Sequence, residues 1–343
     1  MENISSLKRM LEASSKVSAI VHTHPDGDAL GSGAAVVSYL RECLGKDVVL
    51  ILPDSAPHTV DFIIDGLGVL DASAQPEEAE KRIAESDLLL ILDLNQLHRT
   101  EQLEGALEAS AARKVLIDHH LHPDAAAFDL VFSEPWRSSA CELLFFILKE
   151  LENGNCGKLP ARCLEALMTG MTTDTNNFAN SVIPSTMQMA SELLQAGVDR
   201  DGILERLYQC DREERIRAFA DMIANHLTIL PSGISYMIMT EEMQQAYGLE
   251  DGETEGLVNI PLDMEKVRLS IFLREEKGYF RVSIRSKRGL SAQRMASDYF
   301  HGGGHELAAG GKLFLPSDIP AKNTAASYLE EIAARFLRNQ TSE

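Results

Sequence analysis

"VLIDHH", residues 115–120, runs three apolar residues directly into an acid and two imidazoles. Val115, Leu116 and Ile117 read as a strand buried on both faces, which leaves Asp118, His119 and His120 at its carboxyl end. Three other stretches read as strands of the same apolar kind. "KVSAIVHTH" is a β-rich run that ends at His22, "DVVLIL" is a second strand, and "DLLLILDLN" stays apolar until Asp93. Between and after them lie stretches with helical spacing: "DALGSGAAVVSYLRECLG", with Gly45 as its stop, and residues 101–110, 140–151 and 161–169. Continuous apolar strands alternating with helices predict an α/β fold, a parallel sheet with helices on both faces. Such sheets bind ligands beyond the carboxyl ends of their strands, where the acid and imidazoles of 118–120 stand.

The same placement recurs along the chain. "HTHPDGDALGS" sets His22, Asp26 and Asp28 in an H-x-x-x-D-x-D spacing after the first strand, Asp93 closes the third, and "TTDTNN" brings Asp174 after the helix near 161–171. An isolated Asp at a strand end is commonly a cap or turn residue, and "HTHPDGD" alone could be a polar loop. His24 and His122 read as solvated loop residues. Taken together, the four clusters resist that explanation. Crowded carboxylates raise one another's pKa, and they become favourable when divalent cations sit between them. Asp/His ligation without thiolate suits manganese, magnesium, iron or cobalt better than structural zinc. Two such ions roughly 3.5–4 Å apart can clamp a phosphoryl group.

The remaining bounds agree. The chain has 343 residues, enough for two domains. Five cysteines with no C-x-x-C pair predict a reducing compartment and a cytoplasmic location. No apolar run approaches the roughly 20 residues of a membrane span. The net charge of -20 disfavours tracking along a long polyanion. Against it, residues 265–288 carry eight Lys or Arg and three Glu, a local +5. That segment reads either as a solvated strand face or as a basic patch for a small anionic ligand.

"HTHPDGDALGS", Asp93, "DHH" and "TDT", in this order, resemble the four motifs of the DHH phosphoesterase superfamily. "VSIRSK" at 282–287 and "HGGGHELAAGG" at 301–311 resemble its associated nucleotide-binding domain. The nearest branch is the oligoribonuclease/pAp phosphatase group, the nano-RNases, whose members are often labelled exopolyphosphatase-related. This resemblance implies a DHH domain over 1–190, a helical connector over 191–233 and a smaller α/β substrate-binding domain over 234–343, with the active site in the cleft between the domains. It assigns His22 and Asp26 to one manganese ion, Asp28, His119 and Asp174 to another, and Asp93 to a bridge between them, with Mg2+ or Co2+ as substitutes. Asp118 would orient an imidazole and His120 would meet the substrate phosphate, as two ions activate a bridging hydroxide. Arg285, Lys287, Gly302, Gly303, Gly304 and His305 would hold the substrate, with Arg99 as a second phosphate contact.

Two departures from the family pattern bear on specificity: His301 replaces the first of four glycines, and Asn176 replaces the glycine of a D-T-G motif. The resemblance implies short RNA and 3',5'-bisphosphate nucleotides (pAp) as substrates, and a basic segment that can meet only a few phosphates limits the RNA to about two to five nucleotides. No long nucleic acid and no membrane is expected as a partner, and the expected assembly is a homodimer. The alternatives are a cyclic-dinucleotide or pApA phosphodiesterase, an exopolyphosphatase, and a non-catalytic nucleotide-binding protein.

Overall fold

The computed structural model describes residues 2–250 and 252–340. It divides into two compact units, Met1–Cys210 and Asp211–Glu343.

In the first unit β1 (Lys16–Ile20), β2 (Asp47–Leu52), β3 (Leu70–Asp71), β4 (Leu88–Leu92), β5 (Arg113–Asp118) and β6 (Leu130–Ser133) form one sheet in the order β3-β2-β1-β4-β5-β6. Every pairing is parallel. The helices are α1 (Glu2–Ala13), α2 (Gly27–Leu44), α3 (Pro76–Ala84), α4 (Glu104–Ala109), α5 (Ala140–Leu151), α6 (Ala161–Asp174), α7 (Pro184–Gln195) and α8 (Arg200–Tyr208). The unbroken apolar runs have a plain cause. Leu88, Leu90 and Leu92 enter one core with residues of α1, α2, α5 and α6, while Leu89 and Ile91 enter the other with residues of α3 and α4. A strand with a core on each face has no polar side to alternate with. The strand order reverses between β1 and β4, and that crevice, at the carboxyl ends, is where such sheets place ligands.

Local signals set the elements that frame this crevice. Asp26 caps α2, accepting from the backbone N–H of Asp28 and Ala29 at 3.0 and 3.1 Å. Gly45 ends that helix in the left-handed region at φ 62°. Gly170 brings α6 against its neighbours: a Cβ there would lie 2.3 Å from Cys141 Sγ and 3.0 Å from the Gly27 carbonyl oxygen.

The structure differs from the sequence reading in three places. The short edge strands β3 and β6 were not read, having two and four residues. The stretch 101–110 is helical only over Glu104–Ala109, because Glu101 at φ 44° breaks the preceding 3₁₀ turn. Helix α6 runs on to Asp174 itself. Residues 191–210 lie in the first unit and 211–233 in the second.

The second unit holds α9 (Glu213–Asn225), α10 (Glu241–Tyr247), α11 (Ala292–Tyr299) and α12 (Ala325–Gln340). Its sheet comprises β7 (Thr228–Ile229), β8 (Ile234–Met239), β9 (Leu269–Glu276), β10 (Tyr279–Ser286), β11 (Gly303–Gly304) and β12 (Ala308–Phe314), in the order β11-β12-β10-β9-β8-β7. Only β8 and β9 pair in parallel. Phe280, Val282 and Ile284 alternate along β10 into a core with α11 and α12. Among the described residues no helix is long and apolar enough to cross a membrane.

Candidate metal centre

Three consecutive parts of the sheet edge deliver the site. His22 follows β1, Asp93 follows β4, and Asp118 to His120 end β5. Asp93 sits at φ 58°, a left-handed conformation that a non-glycine residue adopts at a cost of order 1–3 kcal/mol. Helix α2 adds Asp26 and Asp28 from its amino end, and α6 adds Asp174 from its carboxyl end.

The six residues expected as metal ligands come together. His22, Asp26 and Asp93 form one group and Asp28, His119 and Asp174 another, each with its ligand atoms within 4.8 Å of one another. Asp93 spans both: its Oδ2 is 3.5 Å from His22 Nε2 and its Oδ1 is 3.5 Å from His119 Nε2. Asp174 Oδ2 is also 3.5 Å from His119 Nε2, and Asp28 Oδ2 is 3.9 Å from it. The far nitrogens of the two rings face main-chain carbonyls. His22 Nδ1 is 2.9 Å from the Thr23 oxygen and His119 Nδ1 is 3.3 Å from the Arg137 oxygen. Donation from Nδ1 turns an unprotonated Nε2 into the cluster, the orientation a ligand imidazole needs.

The electrostatics are those of a cation site. Burial pushes the Asp93 carboxyl up, but His119 and His22 override it and hold the group well below the usual carboxylate range. Burial and the Asp93 charge push Asp28 up to about 7, and burial and the Asp28 charge move Asp174 well upward. Burial works to lower His22, yet Asp93 and Asp26 raise it to about 9. Without a cation, protons must hold this cluster together. The donor set fits a divalent ion on a further ground: the buried Asp93 Oδ1 accepts no hydrogen bond. The nearby Cys141 thiol, pushed well upward by burial and the Asp28 charge, faces the Asp28 carbonyl oxygen at 3.6 Å.

Asp118 and Arg99 hold the last imidazole. Asp118 is fully buried. Its Oδ1 is 2.7 Å from His120 Nδ1, and its Oδ2 accepts the His120 backbone N–H at 3.0 Å. Arg99 Nη1 is 3.2 Å from His120 Nε2, and the Arg99 carbonyl accepts from the Thr23 backbone N–H at 2.9 Å. Arg99 is thus at the site rather than out on the surface. His24, by contrast, is exposed and pairs with Asp54, and His122 is exposed too.

In the second unit, Arg285, the glycine run and His305 meet at one end of the sheet. Arg285 pairs with Ala308 across β10 and β12, and the His305 backbone N–H donates to the Ala308 carbonyl at 2.7 Å. Arg285 Nη1 donates to the Ile284 and Ala309 carbonyls at 3.0 and 3.5 Å. The glycines serve packing first. A Cβ on Gly302 would lie 1.9 Å from the Gly310 oxygen and one on Gly304 2.7 Å from the Ala308 oxygen, whereas Gly303 has open space. Part of the basic segment is spent internally: Arg274 pairs with Glu276 at 2.5 Å and Lys287 Nζ donates to the Met264 carbonyl at 2.8 Å.

The sequence reading missed Arg137 and Glu142. The only local signal for Glu142 is "SACE", residues 139–142, a capping-box pattern. Ser139 does cap α5, accepting from the Glu142 N–H, but Glu142 is buried and bonds elsewhere.

Residues 16–171 match the model for the DHH family, N-terminal domain, and residues 234–332 match the DHHA1 domain. A crystal structure of an exopolyphosphatase-related protein from Bacteroides fragilis superposes with a TM-score of 0.92 at 30% identity, over 99% of this chain and 98% of that one. The chain belongs to the DHH/DHHA1 family of phosphoester hydrolases. Among DHH/DHHA1 relatives, it is 27% identical over 299 residues to the probable bifunctional oligoribonuclease and PAP phosphatase NrnA of Streptococcus mutans, covering 85% of this chain and 88% of that relative. It is also 27% identical over 317 residues to the cyclic-di-AMP phosphodiesterase PdeA of Listeria monocytogenes, covering 87% of this chain but 45% of that longer protein.

Proposed function

We propose that the chain is a manganese-dependent phosphoesterase that hydrolyses RNA of about two to five nucleotides and 3',5'-bisphosphate nucleotides such as pAp. The observation that carries this reading is the buried Asp93 carboxylate, which faces His22 on one side and His119 on the other at 3.5 Å each and leaves Oδ1 without a hydrogen bond. His22 and Asp26 would hold one cation and Asp28, His119 and Asp174 the other, with the Asp93 carboxylate available to both. Two divalent ions held there would supply nucleophile activation and charge neutralisation for phosphoester hydrolysis. An all-oxygen and imidazole donor set suits manganese, with magnesium or cobalt as substitutes.

The chain's own groups do the rest. Asp118 fixes the His120 ring through a 2.7 Å contact between Oδ1 and Nδ1, and Arg99 stands against the other ring nitrogen. Arg99 and His120 thereby offer a polar, cationic edge to the phosphate beside the cluster. Arg285, Lys287, Gly303 and His305 bind the nucleotide, Gly302 and Gly304 serving to bring the backbone into place.

Similarity to a cyclic-di-AMP phosphodiesterase gives a second reading, hydrolysis of cyclic dinucleotides or pApA. The test is a panel of the full chain with Mn2+ against pAp, RNA dinucleotides through pentanucleotides, pApA, cyclic di-AMP and polyphosphate. Turnover of pAp and dinucleotides is expected to dominate. Turnover of cyclic di-AMP or polyphosphate with neither pAp nor dinucleotides cleaved would overturn the proposal.

A further inference from the structure

The turn between β6 and α5 serves two residues of one ligand group at once. The Arg137 carbonyl oxygen lies 3.3 Å from His119 Nδ1. Three residues on, the backbone N–H groups of Ala140 and Cys141 donate to the two carboxylate oxygens of Asp28 at 2.6 and 2.9 Å. Asp28 and His119 come from positions 112 and 18 residues away from these partners. The main chain of 137–141 therefore decides how both side chains meet a cation.

One carboxylate behind the turn holds that main chain in place. Glu142, its side chain 0% exposed, receives five hydrogen bonds. Its Oε2 accepts from the Ser138 N–H at 3.1 Å, Ser138 Oγ at 2.5 Å and Thr186 Oγ1 at 2.8 Å. Its Oε1 accepts from Arg137 Nη1 at 3.0 Å and Ser185 Oγ at 2.5 Å. Arg137 is held further by Glu134 Oε2 at 2.7 Å and lies over the Phe146 ring at 4.7 Å. A buried anion whose acceptor sites are filled by fixed donors rigidifies the groups around it. The other ligand group has different supports: His22 bonds the Thr23 carbonyl, and Asp26 accepts from the start of α2.

We propose that Glu142 is a positioning residue for one metal position only, the one formed by Asp28, His119 and Asp174, and not for the one formed by His22, Asp26 and Asp93. The inference rests on the two-metal reading given above. Groups that orient metal ligands typically contribute 10–100-fold to metal affinity. Glutamine in place of Glu142 keeps the volume but turns an NH2 group toward hydrogen-bond donors, so the turn must shift and carry the Arg137 carbonyl and the Ala140 N–H with it.

The test is Mn2+ binding to the chelator-stripped full chain, read by the electron paramagnetic resonance of free Mn2+ and by calorimetry. The wild type is expected to take two ions. Glu142→Gln should keep one at its wild-type affinity and lose the other by about 10–100-fold. Ser185→Ala removes one donor of the five, lies outside the turn, and should weaken the same position by less. Equal weakening of both positions would show a general loosening and overturn the proposal, as would unchanged binding in a folded Glu142→Gln protein. If that variant does not fold, Ser185→Ala and Thr186→Val decide, and wild-type binding at both positions in those two overturns the idea. A wild type that takes up fewer than two ions sinks the two-metal reading itself, and the selective role of Glu142 with it.

Discussion

Asp93 Oδ1 faces His119 Nε2 across 3.5 Å in a buried site, too far for a well-formed hydrogen bond. A buried carboxylate oxygen in that condition is costly unless a cation completes it. Asp93→Asn retains the shape, removes the charge and places an amide against the imidazoles. Turnover of pAp with Mn2+ should fall by at least about a thousandfold, since the electrostatic stabilisation at stake is several kcal/mol. The bound Mn2+ count should fall as well, while circular dichroism stays that of the wild type. Retained turnover would remove Asp93 from the bridge.

Asp118 and His120 make a separable prediction. The 2.7 Å contact between Asp118 Oδ1 and His120 Nδ1 orients the ring without placing Asp118 among the ligand groups. With His120 as general acid toward the leaving oxygen, Asp118→Asn should lower kcat on pAp by about a hundredfold, the low end of what proton transfer contributes. Both Mn2+ ions should still bind. Loss of metal along with activity would place Asp118 in the metal site instead.

Arg285 is tied to the carbonyls of Ile284 and Ala309, and burial lowers its pKa only from a very basic starting point. Arg285→Ala should cost a charged hydrogen-bond pair to substrate, about 1.5–3 kcal/mol. That loss should appear mainly in KM for pAp and dinucleotides, with metal uptake unchanged. Wild-type steady-state kinetics in this variant would end its role in binding.

Substrate length follows from charge. Against a net charge of -20, a basic segment partly paired within its own sheet can meet only a few phosphates. The log–log salt dependence of kcat/KM should be shallow, roughly -1 to -3. A strand of about 24 nucleotides should be cut far less efficiently than a dinucleotide. Equal efficiency with a steep salt slope would point to an enzyme that grips long strands.

Glu142 sets a pH dependence of stability. Burial pushes its carboxyl up, but hydrogen bonds from Ser138, Ser185, Thr186 and Arg137 prevail and hold it below its usual value. A lowered folded-state pKa means stability that is present above the ordinary Glu range, near 4.3, and lost as pH falls through the folded value. The Tm gap between wild type and Glu142→Gln should therefore be widest near neutrality and shrink below about pH 4. A gap that widens with acid would reverse the sign and reject this assignment.

The sequence by itself determined the parallel sheet and the chemistry of its edge. Runs such as residues 88–92 are apolar throughout because each face has its own core, so their type is legible without knowing any partner. The acids and imidazoles that end them stand out because local packing has no use for them. Caps and stops such as Asp26 and Gly45 are local signals too. Tertiary structure decided what depends on distant neighbours. Glu142 reads as an ordinary helix cap until Ser185 and Thr186, more than forty residues on, close over it. Arg99 is legible in sequence only as a candidate phosphate contact until the fold brings it to His120, and the glycines 302–304 look like an anion loop until β12 shows that two of them are needed for close packing. Edge strands as short as β3 exist only because β2 offers a ladder to join. The physical reason is the same in each case: secondary-structure periodicity and capping are short-range properties of the chain, whereas burial, charge pairing and hydrogen bonding across the fold depend on which remote residues arrive.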